Sequence, residues 1–531
     1  MSILIHHFIA RAAHRTPDAS ALIYKNNQYS YSALQARVES VASGLIKMGL
    51  APAERVAIYL PKLPETVFGL FGAAQAGGVF VPVNPLLKPH QVAYILKDCN
   101  VRALITSADR VSLLADVLTE SHDLRTLIIV GQPHAELPVL PTVNILTWDQ
   151  AFPPSSDTAT SPHRRIDSDM AAILYTSGST GNPKGVVLSH RNLVAGAESV
   201  SEYLANRPDD RLLAVLPFSF DYGLSQMTTA FRVGASVVLM DYLLPRDVIR
   251  AIERYRITGV AAVPPLWNQL AQLDWPGSVS DTLRYITNSG GAMPKATTQK
   301  LRQTLPHTDI YLMYGLTEAF RSTYLPPEQV DIRPESMGKA IPNAEILVVR
   351  EDGSECAPGE PGELVHRGAL VAMGYWNDPE KTAERFKPCP SQLAEIPLTE
   401  IAVWSGDQVK KDAEGYLYFI SRKDEMIKTS GYRVSPTEIE EVVYSSRLVN
   451  EVAAIGLTHP TIGQAILLVA AGDDNLDREA IIRYCQTELP NFMVPQAVEI
   501  RSSLPRNQNG KIDRKGLATE YKAIFLENTA L

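Results

Sequence analysis

Along most of this chain, segments with helical apolar spacing alternate with short apolar runs of strand length. Strand, helix and strand in succession form the unit of a parallel sheet covered on its faces, so the alternation points to layered α/β structure. Apolar side chains at Leu34, Val38, Val41 and Leu45 predict a helix over residues 31–48 that stops at Gly49. Strands are expected at residues 55–60, 79–83, 103–106, 126–130, 212–216, 236–240 and 259–263. The apolar stretch 67–83 contains Gln75, four glycines and Pro82. It reads as a buried helix ending near Gly77 and Gly78, then a strand, and not as a membrane span.

After about residue 343 the texture changes. Short apolar runs at 345–349, 362–366 and 416–420 are separated by Asp-Gly or Pro-Gly turns, which suggests a small β-rich subdomain at about 343–421. Ser435-Pro436-Thr437-Glu438 has the form of a capping box with proline in the first turn, opening a helix over 437–445. The expected fold is α/β: an N-terminal domain of layered sheets over residues 1–421, then a small α+β C-terminal domain over 422–531.

Composition excludes several classes. With 45% hydrophobic and 20% charged residues, a chain of 531 residues has ample material for a core. The net charge of −8 is built from interspersed signs with no basic stripe, so no nucleic-acid partner is expected. The apolar N-terminal start is short and broken by His6 and His7, unlike a signal peptide, which suggests a cytoplasmic protein. Four scattered cysteines show no CxxC and the histidines no HExxH, so a protein-ligated zinc is not expected.

Residues 175–185 read Tyr-Thr-Ser-Gly-Ser-Thr-Gly-Asn-Pro-Lys-Gly, after an apolar run at 170–174. The hydroxyls of Thr176, Ser177, Ser179 and Thr180 and the open backbone at Gly178, Gly181 and Gly185 suit an anion, and Lys184 adds charge. A Walker A loop needs Gly-Lys followed by Ser or Thr at a helix start, whereas here Pro183 and Gly185 flank the lysine. On composition alone, a Ser/Gly-rich surface turn is the other reading.

The loop resembles the phosphate loop of the AMP-forming adenylating superfamily, which includes acyl-CoA synthetases, amino-acid adenylation domains and luciferases. Further stretches resemble that family's motifs, in its order and over nearly the full length. These are Asn288-Ser289-Gly290-Gly291-Ala292, Tyr314-Gly315-Leu316-Thr317-Glu318, Trp404-Ser405-Gly406-Asp407, Arg422-Lys423-Asp424, the segment 427–433, the segment 489–495 and Asn509-Gly510-Lys511. Ser421 and Ser405 depart from the usual glycine and threonine.

The resemblance implies two half-reactions. A carboxylate attacks the α-phosphate of ATP to give an acyl-adenylate and pyrophosphate; a phosphopantetheine thiol then takes the acyl group and releases AMP. Lys511 would bridge carboxylate and phosphate, Thr317 would bond the α-phosphate, and Glu318 would hold Mg²⁺. Gly290, Gly291, Ala292, Tyr314 and Gly315 would line the adenine site, with Asp407 and Arg422 at the ribose. Thr176, Ser177, Gly178, Ser179, Thr180, Gly181 and Lys184 would steady the outer phosphates. Asp424 would be the hinge of a mobile C-terminal domain, and Gly431 would line the thiol tunnel.

Substrate choice turns on the stretch 216–223. Phe220-Asp221 resembles the pattern of amino-acid adenylation domains, in which the aspartate pairs with an ammonium group, although Gly223 replaces a common serine. A carboxylate in an apolar pocket is costly unless paired, which favours an amino substrate; alternatively, Asp221 caps a helix beginning near Tyr222. Arg321 would suit a second substrate carboxylate, or would pair with Asp221. With Ser289 and Met313 in the lining, an amino dicarboxylic acid fits. The expected activity is adenylation of an amino acid and its transfer to coenzyme A or to a free-standing carrier protein, the chain ending without a carrier domain of its own. An ordinary acyl-CoA synthetase for a fatty or aryl acid, or a non-catalytic nucleotide-binding relative, is the alternative.

Overall fold

The computed structural model describes residues 4–132, 140–153, 161–176, 183–393, 395–422, 425–429, 432–459, 462–472, 476–508 and 510–526. Their strands form sheets of fourteen, seven and five strands.

In the seven-stranded sheet, Asn144–Thr147, Thr126–Val130, Val101–Ser107, Arg55–Tyr59, Val79–Pro82 and Met170–Thr176 run parallel. Lys184–Ser189 returns antiparallel beside the last of them. The helix Tyr31–Lys47 opens where Ser30 accepts from the Ala33 amide, and buries Tyr31, Leu34, Val38, Val41 and Leu45. It packs on the buried helix Pro64–Ala76 at Gly72, where a Cβ would lie 2.5 Å from Val41. That second helix ends at Gly77 with φ +86, and the strand Val79–Pro82 follows as its sequence predicts.

The largest sheet has a parallel centre that includes Arg211–Ala214, Gly259–Ala262, Tyr285–Asn288 and Asp309–Tyr314. Thr323–Leu325 and Ser336–Ala340 continue it antiparallel into Leu417–Arg422, Ile401–Lys411, Pro361–Gly368 and Ala344–Val349. The β-rich segment therefore extends the central sheet. Thr176, Ser289 and Tyr314 all fall at carboxyl ends of parallel strands, the edge where open α/β sheets bind ligands.

The five-stranded sheet begins at Ile427–Thr429. Helices Pro436–Ser445 and Arg478–Glu488 cover one face through Ile439, Val443, Ile481 and Cys485, and Leu517 packs on the other. The expected capping box is not formed. Pro436 does open the helix, but the Ser435 hydroxyl donates to the carbonyl of Ile420 instead of capping it. A carbonyl at the end of the large sheet has captured the serine, which ties the start of this helix to that sheet. Among the described residues no helix is long and apolar enough to cross a membrane.

Candidate active site

The hairpin around the glycine-rich loop places Thr176 directly opposite Lys184, and a strand, not a helix, starts at the lysine. Gly185 corrects an expectation. It sits inside that strand, where a Cβ would lie 2.8 Å from Ile173 and 3.3 Å from Trp376, so its smallness serves packing and not anion approach. Segment 373–376 is pinned to the same strand by bonds from the Met373 amide to the Val187 carbonyl and from the Trp376 amide to the Gly185 carbonyl. This pairing brings Tyr375 under the site. Its ring centroid lies 4.9 Å from Lys184 Nζ, and its hydroxyl donates to Glu318 Oε1 at 2.6 Å. Burial lowers the Lys184 pKa, against the opposing pull of Glu318.

The opposite wall follows from two neighbouring strand ends. Beyond Tyr285–Asn288, Gly290 turns with φ +83, and Asn288 Nδ2 bonds the Gly291 carbonyl at 3.0 Å, leaving Gly291 and Ala292 exposed at the rim. Tyr314 ends the next strand, followed by Gly315, and its hydroxyl donates to Asp407 Oδ2 at 2.5 Å. Arg422 sits opposite Asp407 in the ladder and bonds Oδ1 at 3.2 Å. Burial, and then the Asp407 carboxylate, push the Tyr314 phenol pKa well up. Ser405 accepts from the Asp407 amide and donates to the Leu364 carbonyl, so serine does at this position what a threonine hydroxyl would do.

Lys511 enters from the five-stranded unit. Its tip is a tight turn in which Asn507 bonds both the amide and the carbonyl of Lys511, and Gly510 takes φ +78. Asn84 Nδ2, from the large unit, donates to the Gln508 carbonyl at 2.6 Å and anchors the tip. Lys511 Nζ lies 5.4 Å from the Phe220 ring centroid, and its stem passes so close to Gly290 that a Cβ there would lie 2.9 Å from Cε. Burial lowers its pKa; Asp221 and Asp407 raise it, and Arg422 adds to the lowering.

The helix Asp221–Val233 starts at Asp221 itself, with no side-chain cap at Phe220, so the helix-cap reading of Asp221 is not what the structure contains. Its carboxylate accepts from Arg321 Nη1 at 2.9 Å and from the Thr317 hydroxyl at 3.4 Å. Asp221 is 4% exposed and Arg321 2%. The floor is fixed by Tyr222 and Thr287, whose hydroxyls are 2.5 Å apart, and by Trp267, which donates to the carbonyls of Ala262 and Thr287. Ser289 and Met313 are buried, and Met313 Sδ accepts from the Tyr203 hydroxyl.

Residues 9–376 match the AMP-binding enzyme family, and residues 438–511 match the AMP-binding enzyme C-terminal domain. The chain belongs to the AMP-binding enzymes. It is 31% identical over 520 residues to a linear gramicidin synthase of Brevibacillus parabrevis, a match that covers 97% of this chain and 10% of that protein. The chain thus spans about a tenth of that relative's length. It is 30% identical to the long-chain-fatty-acid–CoA ligase of Salmonella typhimurium, covering 96% of this chain and 93% of the relative. ATP-bound MatB from Rhodopseudomonas palustris superposes with TM-score 0.84 at 26% identity, over 98% of this chain and 99% of that one. The anthranilate CoA ligase AuaEII has the same fold, with TM-score 0.87 at 24% identity over 99% of this chain and 98% of that one.

In this AMP-binding enzyme, Thr176, Lys184, Tyr375 and Glu318 are joined by direct contacts, as are Tyr314, Asp407 and Arg422; Lys511 lies against Gly290 and Phe220, and Asp221 links Thr317 to Arg321. Ser177, Gly178, Ser179, Thr180, Gly181, Asp424 and Gly431 lie outside the described residues. Sequence reading missed Tyr375 and Asn84. Gly374-Tyr375-Trp376 carries no charge pattern, and an asparagine after a strand reads as a turn residue. Among the described residues no group of three or more His, Cys, Asp or Glu could hold a metal. Glu318 as a lone carboxylate suits Mg²⁺, which keeps waters and substrate phosphates as its other ligands.

Proposed function

We propose that the protein is an AMP-forming acid–thiol ligase that activates a carboxylic acid with ATP and passes the acyl group to coenzyme A. The placement of Lys511 carries this reading. Its stem lies against Gly290 at a strand end, and the charges of Asp221 and Asp407 act on its ammonium group. There it would neutralise the repulsion between an incoming carboxylate and the α-phosphate it attacks.

In the first half-reaction, the carboxylate oxygen forms a bond to phosphorus and the bond to the pyrophosphate oxygen breaks. Lys511 and Thr317 act at the reacting atoms, Asp407 and Arg422 hold the ribose, and Lys184 the outer phosphates. Mg²⁺ on Glu318 would supply charge neutralisation for the leaving pyrophosphate. In the second half-reaction, a thiol displaces AMP from the acyl carbon and its proton leaves to solvent. Lys511 would have to withdraw for a thiol to reach the acyl carbon, so we place a division of the chain near residue 422, a hinge at Asp424, and a thiol tunnel past Gly431. The name of the fatty-acid–CoA ligase relative supports coenzyme A as acceptor; a carrier protein is the other acceptor to assay.

The buried Asp221–Arg321 pair changes the substrate argument. A carboxylate that already has a cationic partner needs no ammonium group from the substrate, so an amine is not required. Acid-dependent ATP–pyrophosphate exchange, followed by mass measurement of the thioester, tests the reading. Exchange with at least one acid and an acyl-CoA product are expected. No exchange with any amino, fatty, aryl or dicarboxylic acid would leave a non-catalytic nucleotide-binding protein.

A further inference from the structure

Arg321 is only half used. Nη1 is engaged with Asp221 Oδ2 at 2.9 Å, while Nε and Nη2 are buried without a hydrogen-bond partner. Buried guanidinium donors rarely go without acceptors, because desolvating them uncompensated is costly. The Nε–H and the adjacent Nη2–H run parallel along one edge of the guanidinium plane. That edge matches the two oxygens of a carboxylate. Asp221 does not fill it, since its other oxygen faces the Thr317 hydroxyl.

The surroundings hold this edge still. The Tyr222 ring lies 4.8 Å from Arg321 Cζ, and Asp221 grips the opposite end. Arg321 belongs to the same cluster as the reacting residues, because Asp221 is the principal charge acting on Lys511 and also contacts Thr317. One and two turns along the helix from Asp221, the hydroxyls of Ser225 and Thr229 are also buried without partners, so this helix face is polar.

We propose that the free edge of Arg321 holds a second carboxylate of the acid substrate. The ligase then acts on dicarboxylic acids, one carboxylate lying at Lys511 for adenylation while the other is clamped by Nε and Nη2. The inference rests on the ligase reading above and narrows it.

The test compares dicarboxylic acids of four to eight carbons with their half-amides and with monocarboxylic acids of equal length, in pyrophosphate exchange by the intact protein. A preference in kcat/KM of about a hundredfold or more for the dicarboxylic acid is expected, since a site built to bond a charged group rejects analogues that lack it. Arg321→Lys, which keeps the charge beside Asp221 but loses the two-donor edge, should collapse that preference while ATP affinity by calorimetry stays unchanged. Half-amides or monocarboxylic acids used equally well by the wild type would overturn the proposal, whether or not the variant folds. If no acid supports exchange, the ligase reading fails by itself. Calorimetry of the dicarboxylic acids against wild type and Arg321→Lys then decides the clamp, with Arg321-dependent binding supporting it and its absence sinking it.

Discussion

Tyr375 holds two groups of opposite charge at once: its ring carries Lys184, and its hydroxyl orients the Glu318 carboxylate. Tyr375→Phe keeps the first contact and loses the second, a charge-assisted bond worth ~1.5–3 kcal/mol. The Mg²⁺ concentration for half-maximal pyrophosphate exchange should therefore rise roughly tenfold, and Tyr375→Leu should also weaken nucleotide binding. A Mg²⁺ titration indistinguishable from wild type would refute that role. At Gly290, alanine would press its Cβ against the Lys511 stem and take on a φ of +83. Acid-dependent pyrophosphate exchange should fall by at least about tenfold; exchange at the wild-type rate would contradict this. Lys511, Asp407 and Glu318 could be singled out in the sequence because their motifs are local. The closed Asp221–Arg321 pair was legible only as one of two options, since residues a hundred positions apart meet through the fold. Tyr375 was not legible, because its task exists only once segment 373–376 pairs with the strand Lys184–Ser189.

Helix Pro436–Ser445 of the small unit packs on Lys295–Thr304 of the large one, and Glu441 sits at that contact. Burial raises its pKa to about 7, opposed by the Lys295 amide and ammonium and reinforced by Glu335 and Glu440. Glu335 is itself paired with Lys295, and Glu440 with Arg514. A carboxyl whose pKa is raised by docking stabilises the docked form while it is protonated, and that advantage fades as pH rises through the docked pKa. The arrangement with Lys511 in the cleft should be more populated at pH 6 than at pH 8, read by energy transfer between labels on the two units. Glu441→Gln should flatten the response, and an unchanged slope would show that another group titrates. Parallel strands were readable from apolar runs in the sequence because burial on both faces writes them continuously. The strand Ile401–Lys411 was not, since Ser405, Gly406 and Asp407 interrupt its alternation and Gly406 takes φ +72. Ser435 looked like a cap because sequence cannot see the Ile420 carbonyl that competes for its hydroxyl.

At the scale of the whole molecule, the α/β layering and the change of texture near residue 343 were readable from patterning. That the β-rich segment continues the fourteen-stranded sheet was not, because edge pairing leaves no periodic signature. Nor was the docking of the Lys511 tip through Asn84 and Gln508, a contact spanning 424 positions. Asn84→Ala should loosen that anchor, slowing adenylation more than thioester formation when each half is timed separately; the reverse order would argue against an anchoring role. In the proposed reaction, the small unit delivers a cation to the reacting carboxylate and phosphate. A unit charge ~4 Å away at an effective dielectric near 20 contributes ~4 kcal/mol, about three decades in rate. The direct test is acid-dependent ATP–pyrophosphate exchange by Lys511→Ala, with ATP binding measured in parallel. Exchange lowered about a thousandfold with ATP still bound is expected; exchange at the wild-type rate would contradict this role of Lys511.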